Sequence, residues 1–238
     1  MKRQLLLFIL AGAFAIIPFS AWAELRKPNP AEQKVLTRYM TIINRVLDHF
    51  QGDDWNERVD YAVDDEVMVH PDSGRPLDVD EMFQRTYDVR PGSERFTRMV
   101  QPVIDRMQQE PDINKKSEII KRVQDQMHLQ VEVRFNRETI AVDPPPAANA
   151  DLRIPGAAFA YKVNHSTSAH GISYILAFGS WSQMNWDDKS HTYHFKFAHP
   201  QNTAYIENIE ILVSGAPDRL EELLHSVDWK QVNDALTH

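Results

Sequence analysis

The 238-residue chain contains no cysteine. That excludes disulfides, thiolate metal ligands and a cysteine nucleophile. Glycine is scarce, with eight residues, and none is arranged as a phosphate-cradling loop. No G-x-S-x-G elbow occurs, and the "FGSWS" stretch at 178–182 falls within a predicted strand. Basic residues are in the minority, 26 Lys and Arg against 34 Asp and Glu, for a net charge of −8. An acidic chain is a poor ligand for nucleic acid or anionic lipid, so both are excluded as partners. Long apolar runs are missing beyond the first twenty residues, which leaves no stable membrane span once that segment is removed.

The first residues themselves have the layout of an export signal. Lys2 and Arg3 precede the apolar run Leu5–Ser20, and Ala21-Trp22-Ala23 is an A-x-A cleavage site. The run is shorter than the ~20 residues that cross a bilayer, and Pro18 interrupts it. Residues 1–23 are therefore expected to be a signal peptide, with a periplasmic or secreted mature protein starting at Glu24. A disulfide-free exported chain fits a periplasm and must be held by an ordinary core.

Periodicity divides the remainder into a helical region, 24–127, and a sheet region with C-terminal helices, 128–238; the two could form one domain. Asn29, Pro30 and Glu32 form a capping box ahead of an apolar stripe running from Leu36 to Phe50, which predicts a core-facing helix ended by Gly52. Residues 53–81 are acidic and turn-rich, with a short strand expected near 66–70 and a second capping box at Asp78 and Glu81. The acids lack the spacing of a calcium-binding loop. Helices are expected near 79–88, 93–109 and 114–127, punctuated by Pro91, Pro102 and Pro111.

At Leu129 the period switches to two: Leu129, Val131, Val133 and Phe135 alternate with polar residues. Asn136 to Glu138 make a tight return into a strand from Thr139. The proline-rich 144–151 reads as a surface connection. Further strands are expected at 157–164, 172–183, 191–199 and 204–214. A helix follows from 217, broken near Val227 and restarting at Asp228. These features predict an α+β fold: an antiparallel sheet of five to six strands, packed by N-terminal helices and a C-terminal helix pair.

Histidines concentrate in "HTYHFKFAH", residues 191–199. On a strand, His191 and His194 point to opposite faces, while His191 and His199 lie ~26 Å apart at ~3.3 Å per residue, so the segment alone is no metal motif. Matching apolar faces across the expected strands sets Phe178 opposite Phe195, Tyr174 opposite His199, and Tyr161 opposite Tyr174. Tyr161, Tyr174 and His199 would then form one row, a candidate polar-aromatic ligand site. The loop carrying His165 and His170 lies just beyond that row. His165, His170 and His199 together could hold Zn²⁺ or Cu²⁺, although edge histidines on a core face are commonly hydrogen-bonded and inert. Trp55, Trp181 and Trp186 have no place in the core pattern. They either meet a partner or lie beneath the N-terminal helices.

Two functions stay open on these residues. The first is a non-enzymatic module that binds a small molecule or an envelope protein. The second is a metal-assisted hydrolase using the histidine cluster to activate water.

Overall fold

A computed structural model describes residues 24–48, 54–60, 67–69, 75–77, 82–141, 152–164, 172–179, 181, 185–215 and 217–236. The signal-like segment, Phe50, Asp78, Glu81, His165 and His170 lie outside the described residues.

The expected α+β architecture is present. Six antiparallel strands form the main sheet: β2 (Trp55–Asp60), β4 (Met82–Val89), β5 (His128–Phe135), β7 (Phe159–Asn164), β8 (Ile172–Gly179) and β11 (Asn208–Gly215). Their spatial order is β2-β4-β5-β11-β8-β7. A two-stranded ladder joins β1 (Glu24–Arg26) to β3 (Val67–Val69). A three-stranded sheet orders β6 (Thr139–Ala141), β10 (Thr192–His194) and β9 (Asn185–Asp187) as β6-β10-β9.

Helix α1 (Pro30–Asp48) starts at the predicted box. Asn29 Oδ1 accepts from the Ala31 and Glu32 amides, and Glu32 Oε2 accepts from the Asn29 amide at 2.8 Å. Arg26 then donates to both Glu32 oxygens at 2.7 Å. Burial by itself would raise the Glu32 pKa, but the Arg26 hydrogen bonds, the Asn29 amide and the Arg26 charge outweigh it and hold the carboxyl below its usual value. A depressed carboxyl contributes stability above its unfolded pKa and loses it as pH falls through the folded pKa. Glu32→Gln is therefore expected to cost about 1 kcal/mol near neutral pH. The deficit should shrink as pH falls through the depressed folded pKa, because the neutral carboxyl then resembles the glutamine; urea titrations at neutral and strongly acidic pH check it.

Leu36, Tyr39, Met40, Ile43, Val46 and Leu47 of α1 pack onto one face of the main sheet, meeting Phe83, Tyr87, Leu129, Val131, Val133 and Phe135. Helices α4 (Pro217–Ser226) and α5 (Lys230–Leu236) complete that layer, as the predicted break near Val227 allows. Tyr39 Oη donates to the Ala235 carbonyl and the Gly179 amide donates to Asn233 Oδ1, tying α5 to α1 and β8.

Three local expectations give way. Residues 82–89 are strand β4, not helix. Its inward set is Phe83, Arg85, Tyr87 and Val89, and the inward arginine hides the alternation. Arg85 is tolerated there because it donates to the Asn44 carbonyl and to Asp48 Oδ1 at the end of α1. Residues 55–60, read as acidic turn, form β2 against β4. The main sheet thus takes two strands from the N-terminal half. Finally, 191–199 is a strand only over Thr192–His194, and it pairs with β9 and β6 rather than β8. Beyond it, the Ala198 and His199 amides donate to the Glu207 carboxylate, so no ladder partner is needed.

Helices α2 (Glu94–Gln109) and α3 (Ile113–Gln126) form a hairpin inserted between β4 and β5. Ser93 caps α2, its Oγ accepting from the Phe96 amide. Ile104, Ile113 and Ile120 remain exposed on the hairpin.

Candidate functional site

The registers of the main sheet decide which side chains share a face. Tyr161 pairs with Ile175, while Tyr174 pairs with Lys162 and, on its other side, with Val213. The β7–β8 register differs by one residue from the expected one, and a one-residue slip moves every side chain to the other face. Tyr161 and Tyr174 therefore point to opposite sides. Tyr174 lies in the helix-covered core, and Tyr161 on the second face. Phe178 lies opposite Ile209, because β11 rather than the 191–199 segment is the neighbour of β8. The row Tyr161–Tyr174–His199 is not formed.

His199 stacks on Tyr205 with ring centroids 3.8 Å apart, and its Nδ1 lies 3.0 Å from Glu207 Oε1. Glu207 is buried and also accepts the Ala198 and His199 amides at 2.9 and 2.6 Å. Asn136 holds this segment in place: its Oδ1 accepts from the Glu207 amide and its Nδ2 donates to the Tyr205 carbonyl. Among the described residues, no three His, Cys, Asp or Glu side chains are placed to hold one metal ion.

The second face of the main sheet carries a different assembly. Over β7 and β8 lies an aromatic cluster: Phe159, Tyr161, Tyr193, Trp181, Phe195 and Phe197, with Ile140 and Ile175. Tyr161 and Tyr193 are parallel at 6.4 Å, and their hydroxyls lie 3.3 Å apart. Burial, then the Tyr193 hydroxyl, pushes the Tyr161 phenol far above its usual pKa, so it stays neutral. Trp181 packs edge-on against Phe159 and Phe195, its Nε1 donating to the Phe178 carbonyl. The three-stranded sheet and the residue that follows β10, not the N-terminal helices, supply the cover here, through Ile140, Tyr193 and Phe195. Trp55 is placed elsewhere, in cation–π contact with Arg95 and Arg219 at 5.0 and 4.9 Å.

Beside the aromatic cluster, over β4, β5 and β11, the same face becomes polar. Cross-strand pairing sets Glu132 between Gln84 and Leu212 in one row, and Gln130 between Thr86 and Ser214 in the next. Ser173 of β8 continues the second of these rows. Arg134 pairs with Glu210. Several of these side chains are withdrawn from water: Thr86 is 2 % exposed, Glu210 4 % and Ser173 6 %. Arg134 pairs closely with Glu132 and lies 3.6 Å from Glu210 Oε2, which is 3.3 Å from Arg137 Nε. Burial raises the Glu210 pKa most; Arg137 and Arg134 oppose the rise and Glu132 adds to it, leaving the carboxyl above its usual value.

This polar floor was not singled out from the sequence. Its only signal there is the alternation of Gln130, Glu132 and Arg134 against the apolar residues of β5, which any solvent-facing strand shares. No protein-family model, curated protein or solved structure matches the chain. The architecture defines the class: an α+β protein with one sheet face packed by helices and the other divided between an aromatic wall and a partly buried polar floor.

Proposed function

We propose that the protein is a periplasmic binding module whose small-molecule ligand rests on the second face of the main sheet, against the aromatic wall. One observation carries this reading: Thr86, Ser173 and Glu210 of the polar floor are withdrawn from water, and the polar side chains around them are half-buried. Sheet faces in water-soluble proteins are ordinarily either apolar and covered or polar and wet. Withdrawing polar side chains from water costs free energy unless they gain partners. A few polar groups converging beside an apolar wall is the usual make-up of a small-molecule site. Export would follow from residues 1–23, and cleavage after Ala23 would put the new N-terminus at the start of β1.

Amide-detected NMR against a fragment library tests the binding reading. Saturable shifts are expected to map to β4, β5 and β11, and to vanish in Ser214→Trp, which fills the floor from a half-buried position. Ligands that map only to the helical face or the loops would sink it. Mass spectrometry of a periplasmic fraction tests export, with Glu24 the expected first residue.

His199 supports a second reading. A carboxylate that fixes one ring nitrogen leaves Nε2 directed as an acceptor, the arrangement that orients metal-binding histidines. His165, His170 and His199 could then hold Zn²⁺ or Cu²⁺ for hydrolysis. Metal analysis of the purified protein decides it: a full equivalent, lost in His199→Ala, is the expected result, and substoichiometric metal excludes it. For an envelope-protein partner, the exposed isoleucines of the α2–α3 hairpin are the supporting feature.

A further inference from the structure

The charged group on the polar floor carries more than the general reading on which this inference rests. Two acids, Glu132 and Glu210, stand with two guanidiniums, Arg134 and Arg137. Their charges cancel, so the group as a whole favours neither an anion nor a cation. Within it the pairing is uneven. Arg134 is committed to Glu132 through both Nε and Nη2. Glu210 Oε2 is buried and lies within ion-pair reach of Arg134 and Arg137, at 3.6 and 3.3 Å, and the Arg134 side chain also hydrogen-bonds the carboxyl. Both Glu210 Oε2 and Arg137 Nε lack a hydrogen-bond partner among the described residues. The Glu210 side chain is only 5 % exposed. A buried acceptor and a buried donor, 3.3 Å apart as an ion pair but without an aligned hydrogen bond, leave hydrogen-bonding capacity that a ligand group could take up.

We infer that Glu210 Oε2 and Arg137 Nε are a two-point anchor for an uncharged ligand group that offers a donor and an acceptor side by side, as a carboxamide does. Such a group donates its N–H to Oε2 and accepts from Nε–H, completing both without adding charge to a balanced cluster. Leu212, half-buried on the neighbouring row of β11, begins the apolar wall that leads to Ile175 and Tyr161. A ring attached to the amide would lie against Leu212 at the near edge of that wall.

Three probes of one shape and different charge test the assignment: benzamide, benzoate and benzylammonium, titrated into the purified protein and followed by amide NMR. Benzamide is expected to give saturable shifts at Glu210, Arg137 and Leu212, and to bind at least about tenfold tighter than either charged probe, the worth of one hydrogen bond to a charged group. Glu210→Met and Arg137→Met should each weaken benzamide by about tenfold or more. Both variants are expected to fold, because Arg134 and Arg137 are partly exposed and can turn to solvent. Should Glu210→Met not fold, Glu210→Gln, which keeps an acceptor but removes the charge, is expected to bind benzamide with an intermediate loss. Tightest binding by benzoate or benzylammonium overturns the inference and leaves the sheet-face reading standing. The same holds if library compounds occupy the floor while benzamide does not, since the pair is then filled by solvent. If no compound perturbs the floor at all, both fall together.

Discussion

Replacing Trp229 by alanine is expected to cost about 3–5 kcal/mol, enough to remove much of the stability of an ordinary domain. Trp229 is fully buried where α4 ends and α5 begins, and its ring stacks on Phe178 of β8 at 6.1 Å. Its Nε1 donates to the Leu224 carbonyl, which satisfies one of the last carbonyls of α4. Truncation therefore opens a cavity and strands a helix-end acceptor. The change should also uncouple the two short helices, since Lys230–Leu236 is only seven residues long and too short to persist alone. Urea denaturation followed by circular dichroism reads the stability, and Trp229→Phe, which keeps most of the volume but not the donor, should lose distinctly less. A midpoint unchanged in Trp229→Ala would mean that the C-terminal pair contributes little to the core.

The second large effect is expected at Asn136. This residue is fully buried, has a left-handed backbone with φ of 46°, and bonds through its side chain to the Tyr205 carbonyl and the Glu207 amide. Asn136→Ala leaves both backbone groups unsatisfied and places a β-carbon residue in a conformation alanine disfavours, at a combined cost of about 3 kcal/mol. Asn136→Gly relieves the backbone and should recover part of that cost, though not the lost bonds. Because Asn136 positions the chain leading into Glu207, the loss should spread to the histidine. Amide exchange at Ala198 and His199, both held by the Glu207 carboxylate, should speed up in both variants. Protection that survives in Asn136→Ala would show that Glu207 holds the segment without help.

How much of this could be read from the chain depends on the kind of signal. The α1 capping box, the alternation of β5 and the break before Trp229 are local. Each rests on residues within one or two turns of one another, so composition and spacing were enough. β4 was hidden because Arg85 occupies an inward position, and an inward charge is explained only by Asp48 and the end of α1, far off in the sequence. The failure of the row Tyr161–Tyr174–His199 has a similar origin. All three residues lie close to where they were expected along the chain, but a register is a relation between strands, and one residue of shift sends Tyr161 and Tyr174 to opposite faces.

What the sequence determined by itself was the class of fold, the exclusion of thiol and phosphate-loop chemistry, and the helices and strands whose causes are neighbours in the chain. Only the tertiary structure decided that β11 runs between β5 and β8. That placement brings Glu210 beside Arg134 and sets a polar floor against an aromatic wall. The reason is physical: backbone preference and hydrophobic period act over a few residues. The charge, burial and partners of a side chain are set instead by whichever distant strand lies across the ladder.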